Sequence, residues 1–166
     1  MYDYTEMCIK GEYTMDKREA REILFTLVYE YEFNPDKSAS DIYDNARADR
    51  GFENFRYIKK GLVDIIAKRD FLASVVEKYS NNWKITRIAP VTRSLLFVAA
   101  YDMVIKTTPV GIAINEVLEL AKKYDTEQSV SFINGILNSI SDNIDEIKAS
   151  LESEVAEPSD TAENEE

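Results

Sequence analysis

Apolar residues recur every three or four positions along most of the chain, which is the spacing of one face of an α-helix. The first such face follows Asp16, and the Glu19 three residues later is typical of a capping box at a helix start. The helix is expected to end at Asn34-Pro35, because proline cannot continue a helix. Its predicted apolar face consists of Ala20, Ile23, Leu24, Leu27, Val28 and Tyr31.

A longer apolar stripe occupies the middle of the chain, after a weaker helical signal at residues 40–48. It predicts one uninterrupted helix that begins near Phe52 and ends at residues 80–82. At about 1.5 Å per residue, its apolar face would span about 37 Å and form the spine of the domain. The residues of this face are Phe55, Ile58, Leu62, Ile65, Ile66, Leu72, Val76 and Tyr79.

Three more helices are predicted after a connector at residues 83–88. Pro90 suits the first turn of one helix, and Thr108-Pro109 predicts the next, with threonine as N-cap and proline at the first position. The last helix should follow Asp125-Thr126, and its apolar stripe ends at Ile144. Gly135 lies inside it and is expected at a close helix crossing, since glycine within a helix otherwise costs about 1 kcal/mol.

These patterns predict an all-α fold, because no segment shows the sustained alternation of a half-buried strand. We expect a compact bundle of about six to seven helices, with short connections that make neighbouring helices antiparallel. The domain should occupy residues 15–148, between a flexible N-terminal extension at residues 1–14 and a disordered acidic tail at residues 149–166.

The net charge of −11 argues against a polyanionic partner until its distribution is considered. Residues 151–166 hold seven acidic residues and no basic one, and they contain too few bulky apolar residues to order themselves. The remaining residues 1–150 carry 20 basic and 24 acidic side chains, a charge of −4. A domain of that charge can still present a local basic patch.

Several catalytic classes are excluded by composition. The chain has no histidine, one cysteine and five glycines, and neither of the common glycine-rich phosphate-binding motifs occurs. Glu116 and Glu119 lie one turn apart, but a helical di-metal site would also need histidine ligands. The sequence therefore predicts a protein that is not an enzyme and that uses no cofactor and no metal.

The cellular location is indicated by the absence of a long apolar stretch and by the low cysteine count. No stretch approaches the roughly 20 apolar residues of a membrane span. The lone Cys8 favours a reducing compartment, so a cytoplasmic location is expected and no membrane contact.

The sequence from Trp83 onward resembles the NusB family of bacterial antitermination factors in motif order and spacing. Near the N-terminus, residues 18–22 with Tyr29 resemble that family's first helix. The matching segments are residues 82–88 (NWKITRI), 91–96 (VTRSLL), 99–103 (AAYDM), 113–124 (AINEVLELAKKY) and 131–137 (SFINGIL).

The resemblance implies a fold of two small helical subdomains and a role in transcription antitermination. The implied partners are boxA-like single-stranded RNA of ribosomal RNA leader transcripts and NusE, a small-subunit ribosomal protein. Other Nus factors and RNA polymerase would be indirect partners in a bacterial cytoplasm. The alternative is a helical protein-interaction adapter of the same fold whose RNA binding is lost or weakened, because Glu19 and Glu22 interrupt the basic cluster.

The resemblance also implies site residues. The start of the first helix would meet phosphate, which helix N-termini and guanidinium groups both favour. Aromatic residues would stack on unpaired bases, although core packing is an alternative role for Tyr124 and Phe132. The expected RNA-binding residues are Lys17, Arg18, Arg21, Tyr79, Tyr124, Gln128, Ser131 and Phe132. The expected protein-partner residues are Tyr29, Thr92, Arg93 and Asp102.

Overall fold

The computed structural model describes residues 15–156, and within this range the chain forms α-helices and no β-strand. The predicted all-α class is confirmed, with eight α-helices in the described range. A 3-10 turn at Ile85–Arg87 precedes the helix Pro90–Ala100, and that helix continues into a π-helical turn at Tyr101–Ile105. The helices are α1 Lys17–Phe33, α2 Ala39–Arg50, α3 Arg56–Ala67, α4 Arg69–Tyr79, α5 Pro90–Ala100, α6 Val110–Tyr124, α7 Glu127–Asp142 and α8 Ile144–Ala156.

The helices pack as two groups joined by the contact between α1 and α5. The first three helices contact one another. In the second group α4, α6 and α7 pack around α5, and α8 packs on α7 and on the π-helical turn. One apolar core runs through both groups and includes the fully buried Leu24, Leu62, Leu96, Phe97 and Leu137. Among the described residues, no helix combines the length and apolarity needed to cross a membrane.

Local signals place most helix starts correctly. Asp16 caps α1 by accepting a 2.8 Å hydrogen bond from the Glu19 amide, and Pro90 occupies the first turn of α5. Thr126 caps α7 through the Ser129 amide. The start of α6 differs by one residue from the prediction, because Pro109 is the cap itself and the helix begins at Val110.

The predicted spine helix is wrong: it is two helices, α3 and α4, that meet at Lys68. The start also differs, since the helix begins at Arg56 and the Phe55 amide instead donates to the Tyr43 hydroxyl at 3.1 Å. The break coincides with a tertiary contact, in which Arg69 Nη2 donates to the buried Glu32 carboxylate of α1 at 2.7 Å. The apolar stripe stays in phase across the break and therefore gives no sign of it.

The C-terminal end of the domain is longer than expected. The predicted last helix ends at Asp142, and a separate α8 covers residues 149–156, which were expected to be disordered. Burial of Ile147 and packing of Leu151 against the core account for this order. The predicted flexible extension at residues 1–14 and the part of the acidic tail beyond Ala156 lie outside the described residues.

Glycine positions also differ from the prediction. Gly135 is exposed on α7, and a Cβ built on it would meet no atom within 4 Å, so it is not at a helix crossing. The close approach is at Gly61 of α3, where a Cβ would lie 2.8 Å from Leu24 Cδ2 and 3.3 Å from Tyr101 Cε1. The absence of a side chain at Gly61 is what allows α3 to approach α1 so closely.

Candidate nucleic-acid interface

The exposed start of α1 lies beside α6. Lys17 and Arg18 are both exposed there, and the Arg18 side chain is 68% accessible. Its guanidinium donates two hydrogen bonds, of 2.9 and 3.0 Å, to the two oxygens of Glu116. These hydrogen bonds and the positive charge of Arg18 lower the pKa of Glu116. An RNA phosphate at this position would therefore compete with a carboxylate for the same guanidinium.

Arg21 lies one turn further along α1 and is buried. Its Nε donates to Asp102 Oδ2 at 2.7 Å, and the Tyr57 hydroxyl lies 2.9 and 3.1 Å from the two oxygens of the same carboxylate. Burial raises the pKa of the Tyr57 hydroxyl, and the neighbouring Asp102 charge adds to the effect. A residue expected at the RNA surface and one expected at the protein-partner surface thus bind each other inside the fold.

Glu22 makes a second carboxylate-centred contact between α1 and α6. The Lys123 ammonium and the Tyr124 hydroxyl both donate to its Oε1. Burial acts to raise the pKa of Glu22, but these two hydrogen bonds outweigh it and the pKa is lowered. Tyr124 remains 40% exposed, and its ring packs against Phe25 at 5.1 Å between centroids. Tyr124 thus packs against the core and also leaves part of its ring accessible at the surface.

The remaining RNA candidates belong to α4 and α7. Gln128 and Ser131 are exposed on α7, and the half-buried Phe132 packs edge-on against Trp83 at 6.0 Å. Tyr79 is half-buried at the end of α4, with the Lys78 ammonium 5.3 Å from its ring centroid. The structure brings Gln128 and Phe132 into one groove with two residues that the sequence analysis did not select, Trp83 and Arg87.

A sequence signal for this groove exists. Trp83 lies in a short connector close to Lys84 and Arg87, and an aromatic residue among cations is a common arrangement in single-stranded nucleic-acid binding. No residue of that segment is among the RNA-binding residues expected from the sequence.

Two of the protein-partner candidates, Thr92 and Arg93, make hydrogen bonds within the domain near the start of α5. Arg93 Nε donates to Glu32 at 2.6 Å, and Arg93 Nη1 donates to the carbonyls of Ile85 and Ile88 at 3.1 and 3.2 Å. Thr92 is buried and its hydroxyl donates to Asp125 at 2.6 Å. These contacts fasten the 3-10 turn and the start of α7 to α5.

Tyr29, unlike Thr92 and Asp102, is not buried. It is half-buried on α1, and its ring packs edge-on against Phe33 with 5.0 Å between centroids. Phe33 itself is 59% exposed. The two rings together form an apolar surface at the end of α1.

Glu116 and Glu119 do not act as a carboxylate pair. Glu116 binds Arg18, whereas Glu119 accepts a 2.8 Å hydrogen bond from Lys122. Within residues 15–156, no three histidine, cysteine or acidic side chains converge in a way that could hold a metal ion.

Comparison with known proteins places this helical arrangement in one family. A sequence profile described as the NusB family matches residues 18–142. The transcription antitermination protein NusB of Natranaerobius thermophilus is 32% identical over 139 residues, which cover 81% of this chain and all of the relative. NusB of Fusobacterium nucleatum is 39% identical over 132 residues, which cover 74% of this chain and 86% of the relative.

Solved structures share the fold. A structure of the antitermination factors NusB and NusE with double-stranded RNA matches with a TM-score of 0.66 and 20% identity, over 81% of this chain and 96% of the other. A structure described as a plectonemic RNA supercoil matches with a TM-score of 0.70 and 22% identity, over 76% and 94%. Thermotoga maritima NusB matches with a TM-score of 0.64 and 24% identity, over 82% and 93%.

Proposed function

Because this chain belongs to the NusB family, whose relatives above are transcription antitermination proteins, we propose that it binds boxA-type RNA of ribosomal RNA leader transcripts together with NusE. The observation that carries the proposal is the family match over residues 18–142. This range covers α6, α7 and all of α1 except its first residue, and these helices hold most of the candidate RNA residues. The role is one of binding and not of catalysis.

The proposed RNA surface combines cations at the start of α1 with aromatic and amide side chains. Lys17 and Arg18 would contact phosphate at the helix N-terminus, where backbone N–H groups also favour anions. Arg21 would act indirectly, because its buried guanidinium donates to Asp102 and so fixes the position of this part of α1. The proposed base-contacting residues are Tyr79, Tyr124, Gln128, Ser131 and Phe132.

The proposed NusE surface lies along α1 and the start of α5. Tyr29 would contact the partner, and the adjacent exposed Phe33 extends the apolar area. Thr92, Arg93 and Asp102 would shape this surface through the intramolecular contacts described above. A surface of this kind fits association through exposed aromatic residues, which are enriched at protein interfaces.

Affinity for RNA should be weak without NusE. At the α1–α6 surface, Glu116 forms an ion pair with Arg18 and Glu22 forms one with Lys123, so these cations are less available to phosphate. Residues 1–150 also have a net charge of −4. NusE would add a second binding surface for the same RNA, so that the two partial surfaces act together. We place this assembly in the bacterial cytoplasm, where other Nus factors and RNA polymerase would join it indirectly.

A titration of labelled boxA RNA, with and without NusE, tests the proposal. We expect tighter binding with NusE than without, and tighter binding of boxA RNA than of a scrambled sequence at moderate salt. Equal affinity for both sequences in the presence of NusE would contradict the RNA role. Retention of NusE binding in that case would favour the adapter alternative instead.

A further inference from the structure

We propose that Trp83 and Phe132 form a base-stacking platform for single-stranded RNA, with Arg87 and Lys84 as its phosphate contacts. The inference rests on the proposed function and specifies a part of the RNA path that lies in the groove between the α4–α5 connector and α7. Of the four residues, only Phe132 was expected to meet RNA.

The indole of Trp83 is available for stacking. It is 52% exposed, although tryptophan is among the side chains that gain most from burial. Phe132 contacts it with an interplanar angle of 68°. An edge-on contact covers at most one face of the indole, and about half of the side chain stays accessible to a flat ring.

The backbone around Trp83 holds the indole in this exposed position. Asn81 and Asn82 both adopt left-handed conformations, with φ of 55° and 60°. Asparagine adopts this conformation more readily than other non-glycine residues, so the two residues suit a sharp turn of the backbone. The Asn82 amide donates to the Glu77 carbonyl at 3.0 Å, and Glu77 Oε1 accepts from the Ile85 amide at 2.8 Å. These hydrogen bonds fix the connector in a form that leaves about half of its largest apolar side chain accessible to water.

Charge distinguishes this groove from the α1–α6 surface. Arg87 lines the groove and Lys84 follows Trp83 directly in the connector. Both are exposed, and neither has an ion-pair partner among the residues that the structure describes. At the α1–α6 surface, by contrast, Arg18 and Lys123 are each bound by a glutamate. Free cations next to an exposed aromatic ring are the arrangement that proteins use to bind single strands.

The polar edge of the groove fits a nucleobase. Gln128 and Thr126 line it beside Phe132, and an amide side chain can both donate to and accept from a base edge. Stacking on aromatic rings with hydrogen bonds to base edges is how unpaired RNA bases are recognised. The chemistry of the groove therefore favours a nucleotide of the RNA as its occupant.

Fluorescence provides a direct test, because Trp83 is the single tryptophan of the chain. The full chain is titrated with single-stranded boxA RNA, and binding is followed in parallel by the anisotropy of labelled RNA. We expect indole fluorescence to be quenched with the same midpoint as the anisotropy change. RNA binding without any change in indole fluorescence would overturn the platform. Quenching by NusE alone, with no further effect of RNA, would identify a protein contact and also overturn it.

Variants add a second measurement. Trp83→Ala should weaken RNA binding about tenfold, while Trp83→Phe should retain most of the affinity, since stacking on an aromatic ring is preserved. Val63→Ala, which truncates a comparably exposed apolar side chain on α3 outside the proposed RNA and NusE surfaces, is the control and should bind RNA like the original chain. Arg87→Gln should weaken binding to all sequences and reduce the salt slope by about 0.7.

The outcomes separate this inference from the proposed function. If the unsubstituted chain fails to bind RNA with NusE present, both are wrong. If it binds RNA and Trp83→Ala binds equally well, the platform is wrong while the proposed function stands. Thermal unfolding of each variant checks that the helices are intact, and rescue by Trp83→Phe excludes a general loss of folding.

Discussion

Arg21 Nε donates a 2.7 Å hydrogen bond to Asp102 Oδ2 between two side chains that are 6% and 0% exposed. The pair links α1 to the π-helical turn after α5 and so joins the two groups of helices. Tyr57 completes the contact from α3. A charged pair without access to water is stable only when its hydrogen bonds are made, and here three side chains supply them.

Breaking this pair should destabilise the domain strongly. Asp102→Asn removes the hydrogen-bonded counter-ion of the buried Arg21 and leaves only the Glu116 carboxylate, 3.9 Å away. We therefore expect the free energy of unfolding to fall by about 3–5 kcal/mol in chemical denaturation. Asp64→Asn removes the carboxylate of the exposed Lys60–Asp64 pair and should change stability by about 1 kcal/mol or less. If the two variants lose the same stability, the buried pair does not have the role assigned to it.

Replacing Glu116 should strengthen RNA binding. Glu116→Gln removes the charge that holds Arg18, so the guanidinium becomes available to phosphate and the salt slope should steepen by about 0.7. Affinity for boxA RNA in the presence of NusE measures the effect. Asp64→Asn makes the same change in net charge and releases Lys60 on α3 instead. An equal gain in that control would mean that total charge, and not the release of Arg18, governs affinity.

Stability should also depend on pH through Glu22 and Glu116. Both carboxyls have a pKa below the ordinary value of 4.5 in the folded chain. Their contribution is therefore complete above pH 4.5 and is lost as pH falls through the folded pKa values. Thermal unfolding of a Glu22→Gln/Glu116→Gln variant should show a smaller loss of stability over this acidic range. Glu152→Gln on α8 should follow the original chain; the same flattening there would assign the pH dependence to another source.

The fold class and most helix limits could be predicted because they depend on neighbouring residues. The cap at Asp16, the first-turn Pro90 and the spacing of apolar residues are all local features. The break at Lys68 could not be predicted, since the contact beside it joins Arg69 to Glu32, 37 residues away. The order of α8 depends in the same way on the burial of Ile147 against other helices.

The candidate site could be predicted only in part, because a charged residue in a sequence gives no sign of its partner. Arg21 looks like an exposed cation of α1, yet its counter-ion Asp102 follows 81 residues later. Trp83 looks like part of a connector, and its relation to Phe132 arises from the packing of α7 beside that connector. The roles of these residues toward RNA and NusE stay predictions.

Glycine substitutions should have opposite effects at two helix positions. Gly135→Ala on α7 adds a methyl group into open space and should raise the free energy of unfolding by about 0.5–1 kcal/mol, because alanine favours the helix. Gly61→Ala on α3 places a methyl group 2.8 Å from the fully buried Leu24 side chain, and we expect overpacking to exceed that gain and leave a net loss of about 1 kcal/mol. Urea denaturation of both variants measures the difference. A stabilised Gly61→Ala would mean that α1 and α3 can separate without loss, and a destabilised Gly135→Ala would mean that α7 packs against something at that face.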